Sequence, residues 1–184
     1  MKHAACVIAS VLCLTACNKQ PDIQLKNATA EEVATKVRAA AASETLIRPG
    51  EWQSNTTVTE MSMPGLPPQM QAQMKRVMTA QQVHSFKSCV TEADVKRPKE
   101  DFFAGKNNQC RYDHFTMAGG KIDAAMRCTN EGHEETMKLS GTYAAESYQM
   151  DMEMNASGGG PEGAMSMKSH TVSHRIGECT TKDS

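Results

Sequence analysis

The chain between Tyr148 and Met154 alternates strictly between apolar and polar residues, and no other segment constrains the fold more. A period of two places successive side chains on opposite faces of a β-strand. The apolar face of this strand consists of Tyr148, Met150, Met152 and Met154. One face then packs on a core and the other meets water, which is typical of an antiparallel sheet that is wet on one side.

Signals along the rest of the chain complete a β-rich α+β architecture. A capping box at Thr29-Ala30-Glu31-Glu32 opens a helix over residues 29–45, and an apolar face at helical spacing predicts a second helix near residues 70–78. Alternating segments predict strands at about 52–60, 82–90, 109–117, 120–129, 135–143, 147–155 and 164–176. We therefore predict one domain, residues 46–180, in which six or seven antiparallel strands form a curved sheet or a partly open barrel. Two helices, one of them across the concave face, and two disulfides complete it.

The N-terminus has the organisation of a bacterial lipoprotein signal. Lys2 precedes a nearly uncharged run from Ala4 to Leu14, which is too short for a membrane span because a span needs roughly 20 residues. The run ends in Leu14-Thr15-Ala16-Cys17, the Leu-x-Ala-Cys form of a lipobox. We predict a signal peptide in residues 1–16, lipidation of Cys17 and a tether in residues 17–28. An ordinary cleaved signal with an incidental thiol at Cys17 is the alternative.

These features predict a lipid-anchored protein of the bacterial cell envelope. Several acyl chains on Cys17 give stable attachment. Asn18 favours the outer membrane, facing the periplasm, because an aspartate at this position favours retention in the inner membrane. The 20 Lys and Arg residues are balanced by 21 Asp and Glu residues, so the chain lacks the basic balance typical of nucleic-acid binding. The expected partners are the membrane, through the lipid, and an envelope protein or an apolar small molecule.

Four cysteines remain for the folded domain once Cys6, Cys13 and Cys17 are set aside. They are Cys89, Cys110, Cys128 and Cys179. An even number in an oxidising compartment indicates two disulfides, with three possible connectivities. None forms a Cys-x-x-Cys pair, so the spacing does not indicate a thioredoxin-type site or a zinc knuckle. Four free or metal-bound thiols are the alternative.

A predicted hairpin at Gly119-Gly120 selects one connectivity. A three-residue loop over 118–120 places Cys110 directly opposite Cys128. Directly opposed residues have Cβ atoms roughly 4.5–5.5 Å apart, which is close to the disulfide range. Cys89 then pairs with Cys179. The same register makes three further pairs, namely Met117 with Lys121, Tyr112 with Met126 and Thr116 with Ile122.

Several short motifs follow one another in order between residues 46 and 180. They are Arg48-Pro49-Gly50-Glu51-Trp52, Cys89-Val90-Thr91, Cys110, Gly119-Gly120, Cys128, Gly141-Thr142-Tyr143 and Arg175-Ile176-Gly177-Glu178-Cys179. In order and spacing they resemble the domain-of-unknown-function family 3617, small secreted or lipoprotein domains of proteobacteria. The resemblance implies a periplasmic structural or binding domain with cysteine pairs and supplies no catalytic residue. This chain departs from the family mainly in its abundance of methionine.

Methionine is the anomaly of the composition, with 14 residues against only 4 phenylalanines. Core packing is the first interpretation, because methionine fills irregular gaps, and an adaptable surface for an apolar ligand or a protein is the second. Copper is the third, because thioethers select Cu(I). Alternate residues of one strand are about 6.8 Å apart, so a shared metal needs side chains from neighbouring strands. The candidate ligand-facing residues are Met70, Met74, Met78, Met150, Met152 and Met154.

No catalytic or metal-binding motif is evident in the sequence. His170 and His174 would lie about 13 Å apart on a strand, too far to share a metal. The Gly-x-Ser-x-Gly, His-Glu-x-x-His and Walker patterns do not occur. We therefore expect no cofactor, no metal ligands and no enzyme activity. The sequence favours a non-enzymatic binding or structural module of the cell envelope, with a methionine-rich copper-binding periplasmic protein as the alternative.

Overall fold

A computed structural model describes residues 21–43, 45–80, 84–96, 110–130, 132–158 and 164–180. In chain order the elements are β1 (Asp22–Thr29), α1 (Ala30–Ser43), β2 (Gly50–Ser62), α2 (Pro68–Ala80), β3 (His84–Val90), α3 (Glu92–Lys96), β4 (Cys110–Ala118), β5 (Lys121–Asn130), β6 (His133–Ala144), β7 (Ser147–Ser157) and β8 (Met165–Gly177). The strands form one open antiparallel sheet in the order β1-β4-β5-β6-β7-β8-β2-β3. The predicted β-rich α+β class is confirmed, with eight described strands and a third, short helix.

The prediction of a tether over residues 17–28 is wrong from Asp22 onward, where the chain forms the edge strand β1. This strand pairs with β4 along its length and buries Ile23 and Ala28. An edge strand has one hydrogen-bonded neighbour and needs few apolar residues, so its polar composition concealed it. Asn27 adopts a left-handed backbone with φ 49°, and its carbonyl accepts a hydrogen bond from Arg111 Nη2 at 2.5 Å. Residues 17–20 lie outside the described ranges.

Helix α1 packs on one face of the sheet, which we call the inner face. It begins with the predicted capping box, because the Thr29 amide donates to Glu32 Oε2 at 2.7 Å and the Glu32 amide donates to Thr29 Oγ1 at 3.2 Å. Val33 and Val37 are buried against the sheet. α1 contacts β1 and β4 at one edge and also α3, which follows β3 at the other edge. Eight flat strands would separate these edges by roughly 30 Å, so the sheet curves around α1.

The turn between β4 and β5 differs from the predicted three-residue loop. Ala118 pairs with Lys121, so only Gly119 and Gly120 form the loop. Their φ values of 57° and 73° fit a type I′ turn, which requires a positive φ at both central residues. As a result Met117 pairs with Ile122, and the predicted pairs of Met117 with Lys121 and of Thr116 with Ile122 are wrong.

A β-bulge in β4 nevertheless restores the predicted register at the cysteines. The shift lies between Tyr112 and His114, and beyond it Cys110 pairs with Cys128 and Tyr112 with Met126 as predicted. The extra residue reverses which side chains face inward. Cys110 and Tyr112 are buried on one side of the bulge, and Phe115 and Met117 are buried on the other.

Both predicted disulfides are present, and the Cys89–Cys179 bond lies where the family-like motifs meet. Its Cα atoms are 5.4 Å apart, and it joins β3 to the residues after β8 across the start of β2. Arg175 Nε donates to the Pro49 carbonyl at 2.6 Å, and Trp52 Nε1 donates to the Arg48 carbonyl at 3.1 Å. Any Cβ at Gly50, which has φ 144°, would collide with the carbonyl of Gly177. These motifs hold the start of β2 in place.

Candidate binding site

Five methionines occupy directly opposed positions on five neighbouring strands, and we call them the methionine row. The register pairs them successively from β5 through β6, β7 and β8 to β2, as Met126, Met137, Met154, Met167 and Met61. Directly opposed residues of antiparallel strands project from the same face of a sheet. Met126 is buried in the core with α1, so the row lies on the inner face. The other four side chains are only partly buried.

A second β-bulge brings the last methionine into the row. Trp52 and Ser54, both buried on the inner face, fix the alternation of β2 so that Met61 would project outward in a regular strand. The register shifts between Val58 and Glu60, and after the shift Met61 pairs with Met167. The bulge therefore turns Met61 inward.

The bulge also leaves Glu60 on the outer face of the sheet, where it pairs with Lys168. Glu60 forms an ion pair with Lys168 at 2.8 Å, and Thr59 Oγ1 donates to the Lys168 carbonyl at 3.3 Å. The Glu60 carboxylate raises the pKa of Lys168 above its usual value through a hydrogen bond and charge attraction. The Glu60–Lys168 ion pair thus lies on the face opposite the methionine row.

The inner face is divided into two halves. We call the inner faces of β1, β4, β5 and β6 the covered half, because buried side chains from these strands form one apolar cluster with α1. The open half is the inner face of β7, β8 and β2. At one end of the open half Ser54 Oγ lies 2.8 Å from Ser173 Oγ and 3.3 Å from Tyr148 Oη. At the other end Met152, Met154, Met167 and Met61 remain partly exposed.

A cavity of about 330 Å³ lies between the end of β2 and α2. Its apolar lining comes from Met61, Met63, Leu66, Pro68, Ala72 and Met74. The polar lining residues are Ser62 and Gln71, and Gln71 Nε2 donates to the Leu66 carbonyl at 2.7 Å. No charged side chain is among these lining residues. The volume lies near the lower end of the range for small-molecule sites, roughly 300–1,000 Å³.

Helix α2 leaves part of its apolar face in water. Met70 and Val77 are 50% and 56% exposed, and Met74, at 36%, lines the cavity. The predicted second helix is confirmed by Pro68–Ala80. The side chain of Met78, a predicted ligand-facing residue, lies outside the described part of the structure.

The structure separates the six predicted ligand-facing methionines. Met74 lines the cavity, Met70 is exposed beside it, and Met152 and Met154 lie on the open half. Met150 instead packs against the core, with its sulfur 2.7 Å from where a Cβ at Gly141 would stand. The prediction did not select Met61, Met63, Met137 or Met167. The Met61-x-Met63 and Met165-x-Met167 patterns signalled three of these residues, but the strand register that brings them together was not evident.

His170 and His114 stand apart from this site. His170 Nδ1 lies 2.7 Å from Asp151 Oδ1 on the outer face, and His114 Nε2 lies 2.6 Å from Asp123 Oδ1. No group of three or more His, Cys, Asp or Glu side chains suited to a metal ion occurs within the described residues. The side chains that line the cavity are therefore six apolar ones, three of them methionines, and the uncharged polar ones of Ser62 and Gln71.

The fold and the site together define a disulfide-bonded, open antiparallel sheet with a methionine-lined cavity. The family described as "Protein of unknown function (DUF3617)" matches residues 47–179, and the chain belongs to this family. The match confirms the resemblance inferred from the motifs. Neither the curated proteins nor the solved structures contain a match. Among the described residues no helix has the length and apolar character that crossing a membrane would require.

Proposed function

We propose that this protein is a non-enzymatic binding module of the bacterial cell envelope that holds a small apolar molecule between β2 and α2. The cavity of about 330 Å³ carries this proposal, because six of its eight lining residues have apolar side chains and three of these are methionines. Methionine side chains are flexible and polarisable, so a cavity lined by them adapts to ligands of different shape.

The proposed location follows from the N-terminal sequence. The lipobox at Cys17 supports lipid anchoring, and Asn18 supports placement on the outer membrane, facing the periplasm. Two disulfides are consistent with an oxidising compartment. Labelling of cells with radioactive palmitate tests the anchor: incorporation that disappears in Cys17→Ser supports it, and an unlabelled wild-type chain contradicts it.

Binding is tested with residues 18–184 purified without lipid, a fragment that contains the whole described sheet and both disulfides. An environment-sensitive naphthylamine dye reports occupancy of an apolar site by its fluorescence. Ala72→Trp places an indole in the cavity, and Val77→Trp is the matched control because Val77 lies on α2 but outside the lining. We expect the dye to bind the wild type and the control, and to lose at least tenfold in affinity in Ala72→Trp.

Two results contradict the proposal. A wild-type fragment that does not bind the dye removes the cavity as a ligand site. Equal binding by the Ala72→Trp and Val77→Trp variants places the dye elsewhere.

An envelope protein is the second candidate partner, because Met70 and Val77 leave an apolar stripe of α2 in water. A photo-crosslinker at Val77 tests this candidate in living cells against the same crosslinker at the exposed Lys138 on β6. A discrete crosslinked species that forms at Val77 only, and that Met70→Asp abolishes, supports a protein partner. Equal products at both positions exclude specific docking on α2.

A further inference from the structure

We propose that Met61, Met154 and Met167 form a thioether site for one soft monovalent metal ion, Cu(I). These residues lie opposite one another on β2, β7 and β8, with Met167 in the middle. This metal site goes beyond the proposed apolar cavity, because it takes a different ligand and shares with the cavity lining one residue, Met61.

Strand geometry explains why three strands can do what one cannot. Methionines two apart on a single strand have Cα atoms about 6.8 Å apart and parallel side chains. Directly opposed residues on neighbouring strands have Cβ atoms roughly 4.5–5.5 Å apart. Rotations about the Cα–Cβ and Cβ–Cγ bonds of a methionine position its sulfur, so sulfurs from opposed positions can converge on one ion above the central Met167. The bulge at Thr59 completes the set by turning Met61 inward.

The chemistry of the donors selects the metal. Thioethers are soft, uncharged ligands that favour Cu(I) over hard ions such as Mg²⁺ or Ca²⁺. A divalent ion in this partly buried place would need charged ligands to replace its water, whereas a monovalent ion costs less to desolvate. The nearby charges of Glu60, Lys168 and Asp151 belong to the outer face. The three methionines therefore offer thioether sulfur, and the inner-face carboxylate of Glu135 lies opposite Ala156, on the β6 side of Met154 and away from Met61 and Met167.

The site is also accessible. Met61, Met154 and Met167 are all partly buried, so each side chain reaches solvent while part of it stays in the protein. Met61 lines the cavity beside α2, and Met63 and Met74 line the same cavity. An ion can thus enter through the cavity, past the thioethers of Met63 and Met74, and reach Met61. None of the residues that line the cavity is charged.

The first test maps bound metal without any variant. Residues 18–184 carrying ¹³C-labelled methionine methyl groups are titrated with Ag(I), a redox-inert soft ion that leaves disulfides oxidised. We expect the methyl signals of Met61, Met154 and Met167 to shift together and to saturate at one equivalent. Shifts confined to Met70 and Met74, or an absence of saturable shifts, would overturn the proposal.

The second test measures affinity for Cu(I) itself, anaerobically and in competition with a chromophoric chelator. The triple variant Met61→Leu/Met154→Leu/Met167→Leu keeps side-chain volume while it removes three sulfurs. We expect it to lose at least 100-fold in affinity. The matched control is Met70→Leu/Met117→Leu/Met150→Leu, which removes three sulfurs elsewhere and should bind as the wild type does. Equal losses in the two triple variants would overturn the assignment.

The two proposals fail separately. The double variant Met154→Leu/Met167→Leu changes no residue that lines the cavity, so it should lose Cu(I) affinity and still bind the naphthylamine dye. Ala72→Trp should block the dye and keep Cu(I) affinity within about threefold of the wild type. Ala72→Trp should therefore lose dye binding and keep Cu(I) affinity, and the double variant at the row should lose Cu(I) affinity and keep dye binding. This pair of results distinguishes an apolar site from a thioether site.

Discussion

In the covered half of the inner face, α1 brings Val33 and Val37 against the aromatic and aliphatic side chains of β4 and β5, and the cluster is dry. In the open half the same sheet presents Met152, Met154 and Met167 partly exposed. The strands of both halves belong to one continuous ladder, so pairing alone cannot account for the difference. The difference in exposure arises because helix α1 packs over the covered half only. The covered half therefore contributes most of the apolar core, whereas the open half is buried at the end with Trp52, Ser54 and Ser173 and leaves only its methionine end available for binding.

The largest expected effect concerns the Cys89–Cys179 disulfide, which joins β3 to the residues after β8. Cys89→Ala/Cys179→Ala opens a loop of 90 residues, and Cys110→Ala/Cys128→Ala in the covered half opens one of 18. From loop entropy alone we expect losses of about 5 and about 3 kcal/mol in the free energy of unfolding. Urea unfolding of both double variants measures this. The reverse order would mean that packing around Cys110 outweighs loop length.

Truncation of a large side chain in each half compares their packing directly. Phe115 in the covered half is 2% exposed, and Phe115→Ala should cost about 3–5 kcal/mol. Met154→Ala in the open half should cost less than about 2 kcal/mol, because the side chain is already partly in water. The midpoints of urea unfolding give both values, provided that the dependence of the free energy of unfolding on urea concentration stays constant. Similar losses would show that the open half is as tightly packed as the covered half.

Burial of Tyr112 in the covered half should make the free energy of unfolding depend on pH above about 10. Burial raises the pKa of Tyr112 to about 12 from its ordinary value of 10. As the pH rises above about 10, the unfolded chain loses this proton first, so the folded state loses stability until the pH passes the folded-state pKa. Two pKa units correspond to about 2.7 kcal/mol. We expect the difference in stability between wild type and Tyr112→Phe to change by about 2–3 kcal/mol over this range.

Rapid denaturant unfolding at a series of pH values checks this, with the Tyr148→Phe variant as the control. An identical pH dependence in wild type and Tyr112→Phe would mean that water reaches the Tyr112 hydroxyl.

The smallest expected effect concerns the start of α1, which covers the inner face. Thr29→Val removes both hydrogen bonds of the Thr29 hydroxyl within the capping box and should cost about 1 kcal/mol. Hydrogen bonds from Thr29 hold the pKa of Glu32 below its usual value. Their contribution is therefore complete above the ordinary glutamate pKa and is lost as the pH falls through the lowered folded-state pKa. The Thr29 amide also donates to Glu32 and remains in Thr29→Val, so unfolding of this variant at neutral and acid pH measures the share of the hydroxyl.

The control for the cap is Thr91→Val. Thr91 makes the same kind of cap with Asp94 on the short helix α3, none of whose residues is buried. A larger loss at Thr91 than at Thr29 would contradict the role of α1 as the main cover.

Much of this fold could be predicted from local patterns in the sequence. The alternation of β7, the capping box at Thr29 and the pairing of Cys110 with Cys128 depend on neighbours in the chain or across one turn, and each is confirmed. The edge strand β1 escaped prediction because its pattern is short and polar. The three-residue loop at Gly119-Gly120 was wrong because a bulge at the far end of the hairpin compensated for the true loop length.

The sequence by itself determined the strand alternation, both disulfide pairs, the helix starts and the family. The tertiary structure alone decided which methionines meet. A single extra residue in a strand reverses the face of every side chain beyond it, and composition and periodicity did not reveal the bulges at Thr59 and Asp113. Sheet order then placed β2 next to β8, more than 100 residues away in the chain, and so brought Met61 to Met167. Contacts of this kind depend on the whole ladder and on no local segment.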